Sequence, residues 1–287
     1  MRKILPIVLC FAAIIVILPP LLHTQTLKVD VNLISVFATV KDSQGNFVTD
    51  LTKDDFRIYE DGRPQEIQVF EKQEEVESSI AILMDTSGSM VDILPYMKRG
   101  IRDFTRVLPK TDEFFIVTFG TAVKLLHTSS QSQKHLEESM APLRAFGTSS
   151  MYDALLYSMM KVENSERPRK ALIVFTDGND NGSNFGHGRI LEEVQSSAVL
   201  LYFVAIGSPV LVDSHTLESL SDTSGGRTFY VRKQDSVSPI LEQIRTELAK
   251  QYYLGYYAPP RPGFHQLRVE VPGHDVKVRA KTGYSGG

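Results

Sequence analysis

Between residues 79 and 249 the chain alternates short apolar runs with stretches of helical periodicity, and this alternation restricts the fold more than any other feature. Ile80-Ala81-Ile82-Leu83-Met84 and Leu200-Leu201-Tyr202-Phe203-Val204-Ala205 carry no charge on either side of the strand. Such a strand must be covered on both faces, the condition met in a parallel sheet wrapped by helices. The patterns predict strands at 79–84, 114–119, 171–176, 199–206 and 227–231, with a short edge strand near 122–127. They predict helices at 93–108, 133–142, 150–163, 188–198, 214–222 and 236–250. The expected class is α/β, a doubly wound, mostly parallel sheet with helices on both faces.

The flanks read differently. Leu27, Val29, Val31 and Leu33 alternate, then the phase slips to Val36, Ala38 and Val40, which predicts a strand with a bulge near Ile34-Ser35. Phe56-Arg57-Ile58-Tyr59 and Ile67-Gln68-Val69-Phe70, either side of Asp61-Gly62, read as a hairpin. After Lys250 come an apolar run Tyr252–Tyr257, alternation at Leu267, Val269 and Val271, a Pro272-Gly273-His274 turn, and alternation at Val276, Val278 and Ala280. The two β segments, about 46 and 37 residues, are each too small to bury a core alone. Together they make one small β-sandwich with the α/β domain inserted into it. The expected division is 1–25 as signal peptide or N-terminal anchor, 26–75 and 250–287 as the two parts of the sandwich, and 76–249 as the α/β domain.

Arg2-Lys3 followed by the apolar run Ile4 to Leu18 reads as an export signal, either cleaved or retained as an anchor. The expected location is therefore exported: periplasm, cell envelope or extracellular. The single cysteine, Cys10, lies inside that segment, so the mature chain has no disulfide, thiol nucleophile or Cys-bound zinc. A formal charge of −3, without a basic patch interleaved with aromatics, gives no support for nucleic-acid binding.

Chemistry concentrates where apolar strands end. Asp85-Thr86-Ser87-Gly88-Ser89 closes the first strand, Gly147-Thr148-Ser149-Ser150 precedes a helical pattern, and Thr176-Asp177-Gly178 closes a second strand. Ligands of open α/β sheets sit outside the carboxyl ends of strands. An all-oxygen donor set there suits a hard divalent cation. The order D-x-S-x-S, then a threonine, then a strand-ending D-G resembles the metal-ion-dependent adhesion site of von Willebrand factor type A domains. The flanking Leu51-Thr52-Lys53-Asp54-Asp55-Phe56, Glu60-Asp61-Gly62 and Tyr252-Tyr253-Leu254-Gly255-Tyr256-Tyr257 resemble the exported proteins related to that domain common in Acidobacteria. The resemblance implies that Ser87 and Ser89 coordinate Mg²⁺ (or Mn²⁺ or Ca²⁺) directly, Thr148 when a ligand is present, and Asp85 and Asp177 mainly through waters. It also implies a partner presenting an Asp or Glu carboxylate as the sixth ligand. Phe146 stands where the family usually has a glycine. The bland alternative is a loop whose Asp and Ser cap the next helix.

Enzyme readings find less. No second Asp-Thr/Ser-Gly accompanies Asp85, as an aspartic protease requires. Ser87 stands where a haloacid-dehalogenase-type phosphatase has its second Asp. No Gly-x-Ser-x-Gly elbow or dinucleotide fingerprint is present. The six histidines beyond the leader, from His127 to His274, lack zinc spacing and read as surface or loop residues. The polar Asn179–Arg189 stretch is expected on the rim of the site, as a partner contact or a solvated connection. The expected function is a non-enzymatic, cation-dependent protein-binding module. A structural component of the envelope whose metal only stiffens the fold is the alternative, and a hydrolase a minor one.

Overall fold

The computed structural model describes residues 32–72, 76–207, 212–232 and 235–286. The export signal and the alternation at 27–31 lie outside the described residues. Four strands precede the α/β region: β1 (Asn32–Asp42), β2 (Arg57–Glu60), β3 (Arg63–Gln65) and β4 (Val69–Glu71). The α/β region runs β5 (Ser78–Asp85), α1 (Leu94–Val107), β6 (Glu113–Phe119), β7 (Lys124–Thr128), α2 (Gln133–Met140), α3 (Met151–Glu163), β8 (Arg169–Thr176), α4 (His187–Ser196), β9 (Leu200–Ile206), α5 (Ser214–Ser224), β10 (Arg227–Val231) and α6 (Ser238–Leu248). Four more strands follow: β11 (Tyr252–Ala258), β12 (Gly263–Glu270), β13 (Val276–Arg279) and β14 (Gly283–Gly286).

The central sheet has the order β10-β9-β8-β5-β6-β7, parallel except for β7. β5 is buried along its whole length because its alternate residues enter two different cores. Ile80, Ile82 and Met84 join Met97, Ile101, Leu241 and Ile244 on one face. Ala81 and Leu83 join Leu155, Met159, Ile190 and Leu217 on the other. The chain leaves β5 toward β6 and β7, then returns to β8 on the opposite flank, so the strand order reverses between β5 and β8. Both strands end there in a carboxylate-bearing loop, the place where such sheets bind ligands.

The flanking segments interleave in two four-stranded sheets, β13-β1-β11-β4 and β14-β12-β2-β3. Each draws two strands from before the α/β region and two from after it. Val36, Ala38, Phe56, Ile58, Tyr252, Leu254 and Tyr256 fill the core between them. The outer face of the first sheet turns toward the α/β region, where Phe37 stacks on Tyr253 at 4.9 Å and both join the α1/α6 core. Three of the four tyrosines of β11 are buried, because that strand separates two cores; Tyr257 is exposed.

Two sequence expectations fail here. β1 keeps one register against β11 from Asn32↔Ala258 to Ala38↔Tyr252, without a bulge. The apparent slip arises because Leu33 is an exposed apolar residue on the face that later carries Phe37. The return strand of the hairpin is β3, not 67–70. Asp61 and Gly62, at φ 50° and 77°, form a two-residue turn that pairs Glu60 with Arg63. The chain then crosses over, buries Ile67, and pairs β4 with β11.

Candidate metal centre

Asp85 is fully buried at the end of β5. Its Oδ1 accepts the Ser87 N–H at 2.8 Å, and its Oδ2 accepts the Ser149 and Thr176 hydroxyls, each at 3.2 Å. Burial, above all, pushes the Asp85 carboxyl up to about 6; the Ser87 hydrogen bonds act against this and the Asp177 charge adds to it. All these hydrogen-bond donors are neutral, and Asp177 is itself a carboxylate.

The surrounding loops are tied to one another by backbone. Thr86 N–H and Oγ1 both donate to the Phe119 carbonyl, at 2.6 and 2.8 Å. Phe146 N–H donates to the Thr86 carbonyl at 2.8 Å, and Gly88 N–H to the Gly147 carbonyl at 3.2 Å. The Thr148 loop is thereby held against the Asp85 loop. Ser87 is buried and Ser89 exposed, with their hydroxyl oxygens 3.2 Å apart. Asp177 is buried and accepts the Asn179 N–H at 3.1 Å. Thr148 is exposed above them. A Cβ placed on Gly182 would come within 2.9 Å of both the Thr148 and Ser150 hydroxyls, so the glycine keeps a small polar recess open.

The helix-cap alternative does not describe this geometry. α1 begins after Ile93, and neither Ile93 nor Ser87 makes a side-chain cap hydrogen bond. Phe146 in place of a glycine is also accommodated. Asp61 is the one non-glycine residue with positive φ among the described residues; the left-handed position of this loop is Gly147, at φ 78°.

Sequence reasoning missed Ser149, whose hydroxyl reaches Asp85, and the role of the Asn179–Arg189 stretch. Asn181 Oδ1 accepts the Ser149 N–H at 2.8 Å, Asp180 accepts the Tyr152 N–H at 2.9 Å, and Ser183 Oγ accepts the Asp153 N–H at 3.1 Å. Asp153 answers by accepting the Asn184 N–H at 2.9 Å. The loop after Asp177 therefore caps α3 and fixes the Thr148 loop. The available signal was its run of Asn, Asp and Ser, which satisfy orphan N–H groups at helix starts.

Two histidines also depart from the surface assignment. His127 is buried where β7 meets α2, 3.2 Å from the His135 ring. His265 is buried beside Asp61, at 2.8 Å. Glu60, Asp61 and His265 bring their ligand atoms within 4.8 Å of one another. That cluster is closed by its neighbours: Arg261 pairs with Glu60, Tyr256 donates to Glu60 at 2.5 Å, and Gln266 N–H donates to Asp61 at 2.9 Å.

The model of the von Willebrand factor type A domain matches residues 79–246, the span of the central sheet and its helices. The chain belongs to this family. It is a family of metal-dependent protein-interaction modules, for the most part non-enzymatic. The chain is 27% identical over 164 residues to the calcium-activated chloride channel regulator 3A-1 of Mus musculus, covering 54% of this chain and 17% of that protein. The calcium-activated chloride channel regulator 1 of Bos taurus shares 27% over 168 residues, with the same coverage. The chain thus spans about a sixth of the length of these relatives. Among solved structures, a von Willebrand factor type A protein from Catenulispora acidiphila is similar over 90% of this chain and 72% of that one, with TM-score 0.54 and 12% identity. Proximal thread matrix protein 1 from the mussel byssus, with a zinc-occupied adhesion-site motif, is similar over 70% and 50%, with TM-score 0.52 and 17% identity. These likenesses show the fold. Among the described residues, no helix is long and apolar enough to cross a membrane.

Proposed function

We propose that this chain is an exported, divalent-cation-dependent protein-binding module, with Asp85, Ser87, Ser89, Thr148 and Asp177 holding the cation. The observation that carries the reading is a fully buried carboxylate whose charged neighbour is another carboxylate. A buried anion with no cation to pair it is costly, and a metal ion supplies the missing charge. The donors are all oxygens, which fits Mg²⁺, Mn²⁺ or Ca²⁺. The cation would act as a Lewis acid that accepts a carboxylate from a partner. The chain's own residues set the conditions for that contact. Asp85 and Asp177 offset part of the cation's charge from beneath, the Ser87 and Ser89 hydroxyls supply neutral donors, and Thr148 stands on the solvent side. That donor set would leave a bound divalent ion under-neutralised and open to an Asp or Glu of a protein ligand.

Titration calorimetry with Mg²⁺ and Mn²⁺ tests the reading. One site is expected in the wild type, strongly weakened in Asp85→Ala and Asp177→Ala. Equal affinity in all three proteins overturns it. The burial of Asp85 also supports a second reading, a purely stabilising metal in an envelope component. Chelator-sensitive capture of an acidic protein partner separates the first from the second, which predicts metal-dependent stability alone.

A further inference from the structure

A second charged site lies away from the metal loops, on the seam between the outer face of the first sandwich sheet and the α5–β10–α6 side of the α/β region. Two adjoining cavities of about 370 and 240 Å³ occur there, sharing Lys41 and Arg227 in their walls. Lys277 and Arg279 of β13 line the first. Lys250 reaches the second through Phe47, with its ammonium 5.3 Å from the ring centroid; Lys41 lies 4.4 Å from the same centroid. Five cationic side chains therefore converge from β1, β10, the α6–β11 connection and β13.

Strand register makes this convergence more than surface composition. Lys41 stands directly opposite Lys277 in the antiparallel β1–β13 pair, and Thr39 opposite Arg279. Like charges facing each other across a sheet cost stability. The carboxylates beside them are mostly engaged: Glu242, on the second cavity, is held by Arg245. Glu247, buried, already serves Arg279 and, at 3.9 Å, Lys41. Asp222 and Asp42 also line the first cavity, but Asp42 is engaged by Gln44 and Asn46 in its own turn. Among the described residues, Arg227, Lys250 and Lys277 form no ion pair. Arg227 instead packs its guanidinium 4.8 Å from the Phe229 ring centroid. Burial holds the Lys41 ammonium below the usual lysine range, and Arg227 and Arg279 add to this against Glu247.

We propose that this seam is an oxyanion-binding site, taking a phosphate or sulfate group between Lys41 and Lys277 of the sandwich and Arg227 of the α/β region. Forked and ammonium donors on three sides suit a tetrahedral dianion, and charge-assisted hydrogen bonds of this type are the stronger ones. Phe47 and Phe229 supply an apolar wall for the body that carries the group. The site is independent of the metal loops and needs no cation.

Thermal melting of the full chain in metal-free buffer at constant ionic strength tests the proposal. Replacing chloride by sulfate or phosphate is expected to raise the melting temperature with saturation. Arg227→Gln and Lys277→Gln, both at exposed positions, are expected to weaken the response about tenfold each, and Lys124→Gln to leave it unchanged. Lys277→Glu is expected to abolish the response while raising the melting temperature in chloride, because it relieves Lys41. A heparin-derived oligosaccharide and glycerol phosphate then distinguish a sulfated sugar from a phosphate ester as the source of the group. Equal melting in sulfate, phosphate and chloride, or an anion response that survives Arg227→Gln and Lys277→Glu alike, overturns the proposal.

Discussion

Replacing Asp85 by asparagine should stabilise the metal-free protein. The Asp85 carboxyl is raised from 3.8 to about 6, chiefly by burial. Its folded-state value lies above its unfolded one, so between about pH 4 and 6 the native state binds more protons than the unfolded chain, and stability falls as pH rises through that window. Above about pH 6 the loss is complete. A shift of that size corresponds to about 3 kcal/mol. Asparagine is nearly isosteric; its Oδ1 can accept the Ser87 N–H, and its amide can donate to the Ser149 and Thr176 hydroxyls that now donate to Asp85. Urea unfolding of both proteins from pH 4.5 to 7.5, in chelated buffer, isolates the contribution as a difference between two curves. Asp85→Asn is expected to exceed wild type by about 3 kcal/mol at pH 7, with the gap closing toward pH 4.5. Added Mg²⁺ should stabilise wild type alone. A gap near zero at pH 7, or one that widens toward acid, would refute the argument that burial, unrelieved by a cation, sets the state of this carboxyl.

The two halves of the sandwich should be mutually dependent. Residues 32–72 in isolation are expected to give an undispersed proton NMR spectrum, and a cooperative folded spectrum would contradict the interleaved sheets. Arg279→Met leaves Glu247 buried without its main partner and should cost about 3 kcal/mol or more. The Arg279→Met/Glu247→Gln double variant should recover most of that loss in urea unfolding. Gly182→Ala places a methyl group against the Thr148 and Ser150 hydroxyls. Calorimetry should show weakened cation binding while the far-ultraviolet circular dichroism stays unchanged.

The α/β elements were legible because their signals are local. An uncharged run such as Leu200–Ala205 reads as a covered strand, and the observed β9 and β10 fall within a residue of expectation. The metal loops were legible for a related reason: Asp85 and Asp177 each end such a run. What sequence could not supply was pairing across long distances. β4 lies beside β11 rather than β2, a choice made by the two-residue Asp61-Gly62 turn and by the space for Ile67 in the core. β14 escaped notice because Gly283-Tyr284-Ser285-Gly286 has little strand character of its own and acquires it by pairing with β12. Similarly, Ser149 carries no motif that marks it as an Asp85 partner. Only the folded Thr148 loop, pinned by Asn181, aims its hydroxyl there.

The pairing of β1 with β11 also sets a timetable for the chain. Ser35 and Tyr253, joined by their hydroxyls in the finished sheet, are 218 residues apart. At a synthesis rate of about 5–20 residues per second, Val36, Phe37, Ala38 and Val40 wait roughly 10–40 s for the strand that will cover them. During that interval the first strand presents an apolar edge with unmet N–H and C=O groups, a template for mispairing. The α/β region can condense from its own local contacts in the meantime, but the sandwich closes only when β11 to β14, beyond residue 251, have emerged. Slower synthesis lengthens that exposure in proportion, so the yield of folded chain should depend on how fast the closing strands follow.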